Sequence, residues 1–199
     1  MKTRSILKPL MALAALSALP LAAQATVYQF NATLNAAQEV IASGSTATGV
    51  GTLSYDDMGT MSLADDKYDF SMAVFGLSGG LMAGTAASAF HIHGPAAAGV
   101  NGPVRVSLDA APFASFNSGS TLLVGGIGVA PPLTFGAGSM KDALLNGLAY
   151  LNVHTVADPM GAVRGQLLLV SVVPEPSTYA LLLAGLGAVG FIARRRRSR

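Results

Sequence analysis

The feature of this sequence that most constrains the fold is a strict alternation of apolar and polar side chains around two histidines. In the segment Phe90–His93, Phe90 and Ile92 alternate with His91 and His93. Successive side chains of a β-strand point to opposite faces, so both histidines would share one face and both apolar residues the other. Such a strand suits an antiparallel sheet with one face on the core and one polar face.

Two later segments repeat this alternation. One places Tyr150, Asn152 and His154 on a common face, and the next places Arg164 and Gln166 together. Each segment carries apolar residues on its opposite face, as a half-buried strand requires. If the three segments are neighbours in one sheet, their polar residues form a single cluster. The chain has three histidines, and all three would then belong to that cluster.

The remainder of the body predicts about eight or nine strands and almost no helix, with turn residues at short intervals. We expect a short strand at Met61–Leu63, a loop at Ala110–Gly119 and one long closing strand at Ala162–Val172. One or two helical turns are expected at Met140–Leu145, with Ser139 as the N-cap. The pattern predicts an all-β fold, an antiparallel β-sandwich or barrel.

The N-terminus has the layout of a secretory signal peptide. Basic residues precede an apolar run at 10–21, and Ala23-Gln-Ala25 fits the small-x-small cleavage pattern. We expect a signal helix over residues 1–25 that is removed before Thr26. The alternative is a retained anchor, but a twelve-residue run is short of the roughly 20 residues that a spanning helix needs.

The C-terminus combines a proline-rich spacer, an apolar run of fifteen residues and a basic end. The spacer is Pro174, Glu175 and Pro176, the run is 179–193, and the basic end is Arg194, Arg195, Arg196 and Arg197. As a helix the run would measure roughly 22 Å at 1.5 Å per residue, against about 30 Å of bilayer hydrocarbon. The arginines would stay on the cytoplasmic side, so the body would face outward.

This layout resembles the PEP-CTERM sorting tail of Gram-negative bacteria, over residues 174–199. The resemblance implies export across the inner membrane with transient insertion of the tail, recognition by an exosortase-type enzyme and removal of the tail. It also implies residence at the cell surface or in an extracellular, exopolysaccharide-rich biofilm matrix. The alternative is an ordinary C-terminal membrane anchor, which would also place the body outside.

Charge excludes one class of function for the body at 26–173, and the absence of cysteine excludes disulfide bonds. This region has nine acidic and four basic residues, a net charge of −5. Nucleic-acid binding requires a basic face, and none is visible, so no nucleic-acid partner is expected. The chain has no cysteine. Its stability therefore depends on core burial or a bound ligand instead of disulfide bonds.

Four segments resemble the CHRD domain, which is named after chordin and also occurs in bacterial exported proteins. They are Ala89–Pro95, Asn101–Val104, Tyr150–Thr155 and Gly161–Gln166, and Leu34–Val40 is similar to the opening motif of that domain. The resemblance implies a β-sandwich over 26–173, immunoglobulin-like or superoxide-dismutase-like, flanked by the signal helix and the hydrophobic C-terminal helix. It implies no reaction.

The histidine cluster has three interpretations, of which the first is a metal site. His91, His93 and His154 would supply three imidazole nitrogens, a set that suits Zn or Cu. The His-x-His spacing is similar to the copper strand of Cu/Zn superoxide dismutase, but three histidines are too few for a dinuclear site of that type. Arg164 counts against a bound cation unless Glu39 or Asp158 offsets its charge.

The second interpretation is a structural brace, and the third is a ligand surface. As a brace, the histidines would hydrogen-bond with Asn152, Arg164 and Gln166 and hold the loop at 94–103 in place. As an exposed sheet face, the polar cluster Glu39, Asn152, Arg164 and Gln166 would bind acidic sugars of an exopolysaccharide or another surface protein.

Catalysis has little support in the sequence. There is no cysteine nucleophile and no Gly-x-Ser-x-Gly elbow, and Asp65 and Asp66 are adjacent in a turn instead of flanking a cleft. We therefore expect an exported, non-catalytic CHRD-domain protein that acts by binding or structure. The competing hypothesis is a periplasmic or surface protein that binds Cu or Zn through the three histidines.

Overall fold

The computed structural model describes residues 25–82, 89–174 and 176–197. Within these residues the strands are β1 (Thr26–Asn35), β2 (Thr48–Asp56), β3 (Lys67–Phe75), β4 (Phe90–His93), β5 (Val104–Ser107), β6 (Ala114–Ser118), β7 (Thr121–Val129), β8 (Tyr150–Val153), β9 (Val163–Gln166) and β10 (Leu168–Pro174). The helices are α1 (Met140–Leu145) and α2 (Pro176–Arg197), with one 3-10 turn at Ala36–Gln38.

All ten described strands belong to one antiparallel sheet, which curls into a half-barrel. The strand order is β5-β4-β8-β9-β1-β2-β3-β7-β6, and β10 pairs with β1 as well. Strand β1 joins the two halves, because Asn35 pairs with Arg164 of β9 on one side and with Thr48 of β2 on the other. On the β9 side, Thr26 at the other end of β1 pairs with Pro174 of β10. The predicted all-β antiparallel class is confirmed; the sandwich type stays a prediction.

The core lies inside the curl, and the sequence alternation places it there. Buried and exposed residues alternate along β2 and β3. Leu53, Phe70, Ile92 and Leu151 are all at most 4% exposed, although they come from four different strands. Burial of one such side chain contributes about 1.5–3 kcal/mol. The curl therefore gives these strands an inner apolar face.

Three predicted elements differ from the structure. The closing strand at 162–172 is interrupted at Leu167, whose N–H donates to the carbonyl of Ala149 at 3.0 Å, so it forms β9 and β10. The predicted loop at 110–119 contains β6, a fully exposed edge strand without an apolar row to reveal it. The expected strand at 61–63 is an exposed turn and bend region.

The two described helices are where the sequence predicts them. Ser139 caps α1: its side chain accepts from the Asp142 N–H at 3.0 Å, and the Asp142 carboxylate accepts from Ser139 in return. Helix α2 carries the apolar run, and its described side chains are exposed. No helix in the described residues is both long and apolar enough to cross a membrane. The predicted signal peptide lies almost entirely outside the described residues.

Candidate functional site

The three polar segments are adjacent strands in the sheet, in the order β4-β8-β9. Residues directly opposite one another on neighbouring antiparallel strands project from the same face. The register aligns two cross-strand rows on that face. They are His91, Asn152 and Arg164 in one row, and His93, Tyr150 and Gln166 in the other. The structure therefore brings together residues that are up to 75 positions apart in the chain.

This polar face is buried, which contradicts the predicted exposed ligand surface. His91 is 0% exposed and Arg164 is 1% exposed. The loop at 94–103 lies across the face, because Arg164 Nη2 donates to the Ala97 carbonyl at 3.1 Å and Gln166 Nε2 to the Ala96 carbonyl at 2.9 Å. Because these buried side chains hydrogen-bond to loop carbonyls instead of water, the loop covers the polar face.

His154 joins the two histidines of β4 at the end of β8. Its backbone N–H donates to the carbonyl of Ala89, which keeps the chain beside β4 after the strand ends. The ring centroids of His91 and His93 are 5.2 Å apart, and those of His91 and His154 are 5.4 Å apart. One ligand nitrogen from each ring lies within 4.8 Å of the other two. This is the only such group of potential metal ligands found among the described residues.

Backbone carbonyls fix the tautomers of His93 and His154. His93 Nδ1 lies 2.9 Å from the carbonyl oxygen of Gly102, and His154 Nδ1 lies 3.0 Å from that of Pro159. A carbonyl only accepts, so Nδ1 carries the proton in both rings and Nε2 keeps its lone pair. His93 Nε2 is buried without a partner. Metal-binding histidines commonly have this arrangement, with one nitrogen anchored and the other free.

His91 has no hydrogen-bond partner at either ring nitrogen, and both nitrogens are buried. Burial, followed by the neighbouring His93 and His154, lowers its pKa to about 4, although Asp109 acts in the opposite direction. Burial also lowers the pKa of His93 and of His154. All three imidazoles are therefore predominantly neutral at pH 7, the state in which they bind metals.

The guanidinium of Arg164 is separated from the histidines by Tyr150. It lies 3.5 Å from the centroid of the Tyr150 ring, and His93 stacks with the same ring at 4.8 Å. Strand β8 lies between β4 and β9, so the backbones of the two outer strands are about 10 Å apart. This separation weakens the predicted objection to a bound cation, although Arg164 still contributes to the lowered pKa of His93.

Glu39 reaches the same face from the turn that follows β1. Its Oε2 accepts from Asn152 Nδ2 at 3.5 Å, while Glu39 Oε1 and Asn152 Oδ1 are buried without partners. Burial raises the pKa of Glu39 to about 7, although Arg164 and Asn152 act to lower it. Asp158, the other candidate for offsetting Arg164, accepts hydrogen bonds from Ser43 and Gly44 instead.

Sequence reasoning missed the roles of Tyr150 and Asp109. The alternation placed Tyr150 on the polar face, but nothing local showed that it would stack with both His93 and Arg164. Asp109 lies two residues beyond Ser107, which pairs with His91, so its charge acts on His91 only because β5 pairs with β4. Both roles depend on the pairing register between strands that are distant in the sequence, and only this register could have revealed them.

Comparison with known families identifies the domain. The family profile of the CHRD domain matches residues 30–167, more than half of the chain. The chain belongs to the CHRD family. Every candidate residue of the buried polar face lies within this CHRD match. A comparison with curated proteins and another with solved structures each gave no match.

A second profile, the PEP-CTERM protein-sorting motif, matches residues 172–197. The motif begins inside β10 and continues through α2, where Arg194, Arg195 and Arg196 are exposed. Arg197 ends the helix, and Glu175 lies outside the described residues. The CHRD protein is thus sorted to the cell envelope or surface of a Gram-negative bacterium and is processed by an exosortase.

Proposed function

We propose that this exported CHRD domain binds one transition-metal ion, zinc or copper, through His91, His93 and His154. The observation that carries the proposal is the convergence of three neutral imidazoles within 4.8 Å. His91, at the centre, has no hydrogen bond to explain its burial. Burial of a polar group without a partner costs free energy, and a metal ion is the partner that three imidazole nitrogens together favour.

A purely structural brace accounts for only half of the polar face. Arg164, Gln166 and Tyr150 do brace the loop, because each has a hydrogen bond to it. His91 has no hydrogen bond with which to brace the loop, and His93 Nε2 is buried without a partner. Because His93 and His154 are both anchored through Nδ1, their Nε2 atoms point to another partner within the proposal. The proposed face therefore combines a brace from β9 and Tyr150 of β8 with a metal-binding set from β4 and from His154, just after β8.

The separation of the nitrogens suits an ion after a small adjustment. In tetrahedral zinc sites with bonds of 2.0–2.1 Å, ligand nitrogens are roughly 3.3 Å apart. The three nitrogens here lie within 4.8 Å of one another, so ring rotations that bring them closer by up to about 1.5 Å suffice. The chain has no cysteine, so any further ligand is a donor other than a thiolate.

The setting of this activity is the outside of the cell, as the sorting motif indicates. Within the proposal the domain is non-catalytic, and it binds its metal at the surface or in the extracellular matrix. An exopolysaccharide or another surface protein remains the proposed partner, supported by the sorting motif alone. The buried polar face does not support direct sugar recognition by Arg164, since the loop covers that side chain.

Metal uptake by the purified full-length chain tests the proposal. We expect one equivalent of Zn²⁺ or Cu²⁺ per chain by elemental analysis and calorimetric titration. His91→Ala and His154→Ala should each lower affinity by more than about 100-fold, since a ligand contributes more than its outer-sphere partners do. Gln29→Ala, which removes a polar side chain that contacts Ser54 outside this face, is the matched control. Absence of uptake, or equal uptake by His91→Ala, would refute the proposal.

A further inference from the structure

Two buried acceptor atoms beside the histidines lack donors. Asn152 Oδ1 and Glu39 Oε1 are buried without hydrogen-bond partners, as are both ring nitrogens of His91. All of these atoms belong to the covered face of β4 and β8 and to the turn after β1. A neutral imidazole always carries one N–H donor, and an amide oxygen is an acceptor. The donor of His91 and the acceptor of Asn152 therefore complement each other chemically.

Sheet geometry places these two side chains next to each other. His91 on β4 pairs directly with Asn152 on β8. Side chains in such pairs have Cβ atoms about 4.5–5.5 Å apart, so a change in ring orientation brings an imidazole N–H to a neighbouring amide oxygen. The amide nitrogen of Asn152 already donates to Glu39 Oε2 at 3.5 Å. His91 on β4, Asn152 on β8 and Glu39 on the turn after β1 thus form one row.

We propose that Asn152 and Glu39 are positioning residues of the metal site, which orient His91 through a chain of two hydrogen bonds. In this chain, which rests on the proposed function, a metal ion takes one ring nitrogen of His91. The other ring nitrogen donates its proton to Asn152 Oδ1, and the amide nitrogen of Asn152 donates to the Glu39 carboxylate. Outer partners of this kind fix the ring orientation and raise the basicity of the ligand.

The other two histidines explain why His91 needs such partners. Backbone carbonyls of Gly102 and Pro159 orient His93 and His154. His91 lies in the middle of β4, where the backbone carbonyls are engaged in pairing with β5 and β8. A side chain is therefore the partner we assign to it, and Asn152 occupies the directly opposite position on β8.

The loop before β9 leaves room for the Glu39 carboxylate. Gly161 has φ +134°, a conformation that favours glycine, and a Cβ at this position would lie 2.5 Å from the Glu39 carboxylate oxygens. The absence of a side chain at 161 thus gives Glu39 its place above Asn152. A carboxylate there also offsets the charge of Arg164 and of a bound cation, as electrostatic balance on a covered face requires.

Zinc affinity of full-length variants tests the inference, with Zn²⁺ alone as the probe. Asn152→Ala should weaken binding by about 10- to 100-fold, the usual effect of removing an outer partner of a ligand. Asn152→Asp keeps an acceptor opposite His91 and should recover most of the affinity. Glu39→Ala should weaken binding by several-fold, while Gln29→Ala, on β1 outside the polar face, should leave it unchanged. The melting temperature of each zinc-free variant checks that it is folded.

Nuclear magnetic resonance of the imidazole protons supplies a readout independent of affinity. The zinc-loaded native chain should show a slowly exchanging His91 ring N–H, which Asn152→Ala should lose while the His93 and His154 ring N–H signals remain. Native affinity in Asn152→Ala, or a retained His91 signal, would overturn the inference and leave the metal site standing. Failure of the native chain to bind zinc or copper would overturn both.

Discussion

At position 91 burial disfavours the protonated, charged form of the imidazole. The pKa of His91 is lowered to about 4 by burial and by the two neighbouring histidines. Protonation in the folded state is therefore disfavoured relative to the unfolded chain, where the value is 6.5. The contribution of neutral His91 to the free energy of unfolding is therefore complete above pH 6.5 and is lost as the pH falls toward 4.

The metal-free chain should accordingly lose stability in weak acid. Between pH 7.5 and pH 5 we expect His91 to account for a loss of about 2 kcal/mol in the free energy of unfolding, at 1.36 kcal/mol for each pKa unit. Urea unfolding at the two pH values measures this loss. His91→Gln, which cannot be protonated, should show a loss smaller by about this amount. An equal pH dependence in the two chains would contradict the prediction.

Glu39 should produce the opposite pH dependence. Its pKa is raised to about 7 by burial, from 4.5. The folded state therefore favours the protonated form, so the cost of the charged carboxylate is absent below pH 4.5 and complete above pH 7. After allowance for partial exposure, Glu39→Gln should stabilise the metal-free chain by about 2 kcal/mol at pH 8 and hardly at all at pH 4.5. Urea unfolding of both chains at these pH values decides the matter.

At the scale of single elements, local periodicity predicted the half-buried strands. It did not predict the exposed edge strand or the break in the closing strand. Strands β4 and β8 were predictable because a half-buried strand shows its two faces in the sequence. Strand β6 was not, since an exposed edge strand has no apolar row. The break at Leu167 was also hidden, because it depends on a hydrogen bond to Ala149 across the fold. The capping box at Ser139 was predictable because it involves residues only three positions apart.

Close packing of β9 against β1 gives a prediction at the same scale. A Cβ on Gly165 would lie 2.8 Å from the carbonyl oxygen of Thr33, which belongs to a central strand and cannot move away easily. Gly165→Ala should therefore lower the free energy of unfolding by about 2–3 kcal/mol through overpacking. Gly125→Ala is the control, because its nearest neighbour, the Phe70 carbonyl oxygen, would lie at 3.8 Å. Comparable losses in both variants, measured by urea unfolding, would refute this explanation.

For the molecule as a whole, the sorting motif begins where the sheet ends. Pro174 is still paired with Thr26, and the exposed helix α2 follows directly. The family match for the motif starts at residue 172, inside β10. The motif that the exosortase recognises therefore adjoins a folded strand, with no long linker between the strand and the helix. The same pairing places the predicted signal-peptide cleavage position, before Thr26, at this end of the sheet.

Removal of residues 175–199 should separate folding from sorting. Because the described side chains of α2 are exposed, we expect the free energy of unfolding to change by less than about 0.5 kcal/mol, as for other surface changes. The shortened chain should no longer be processed or sorted, which cell fractionation and the size of the product would show. A chain ending at Leu167, which also lacks β10, should be much less stable. A large loss of stability in the first truncation would contradict the independence of body and tail.

The sequence by itself determined the faces of the strands, the capped helix and the sorting tail, because periodicity, capping and composition act over a few neighbouring residues. The tertiary structure decided that the polar face is covered, that Tyr150 lies between His93 and Arg164, and that His91 has no hydrogen-bond partner. Those facts depend on which backbone carbonyls and side chains meet across strands far apart in the chain. Pairing register and loop closure set these contacts, and both are properties of the folded sheet.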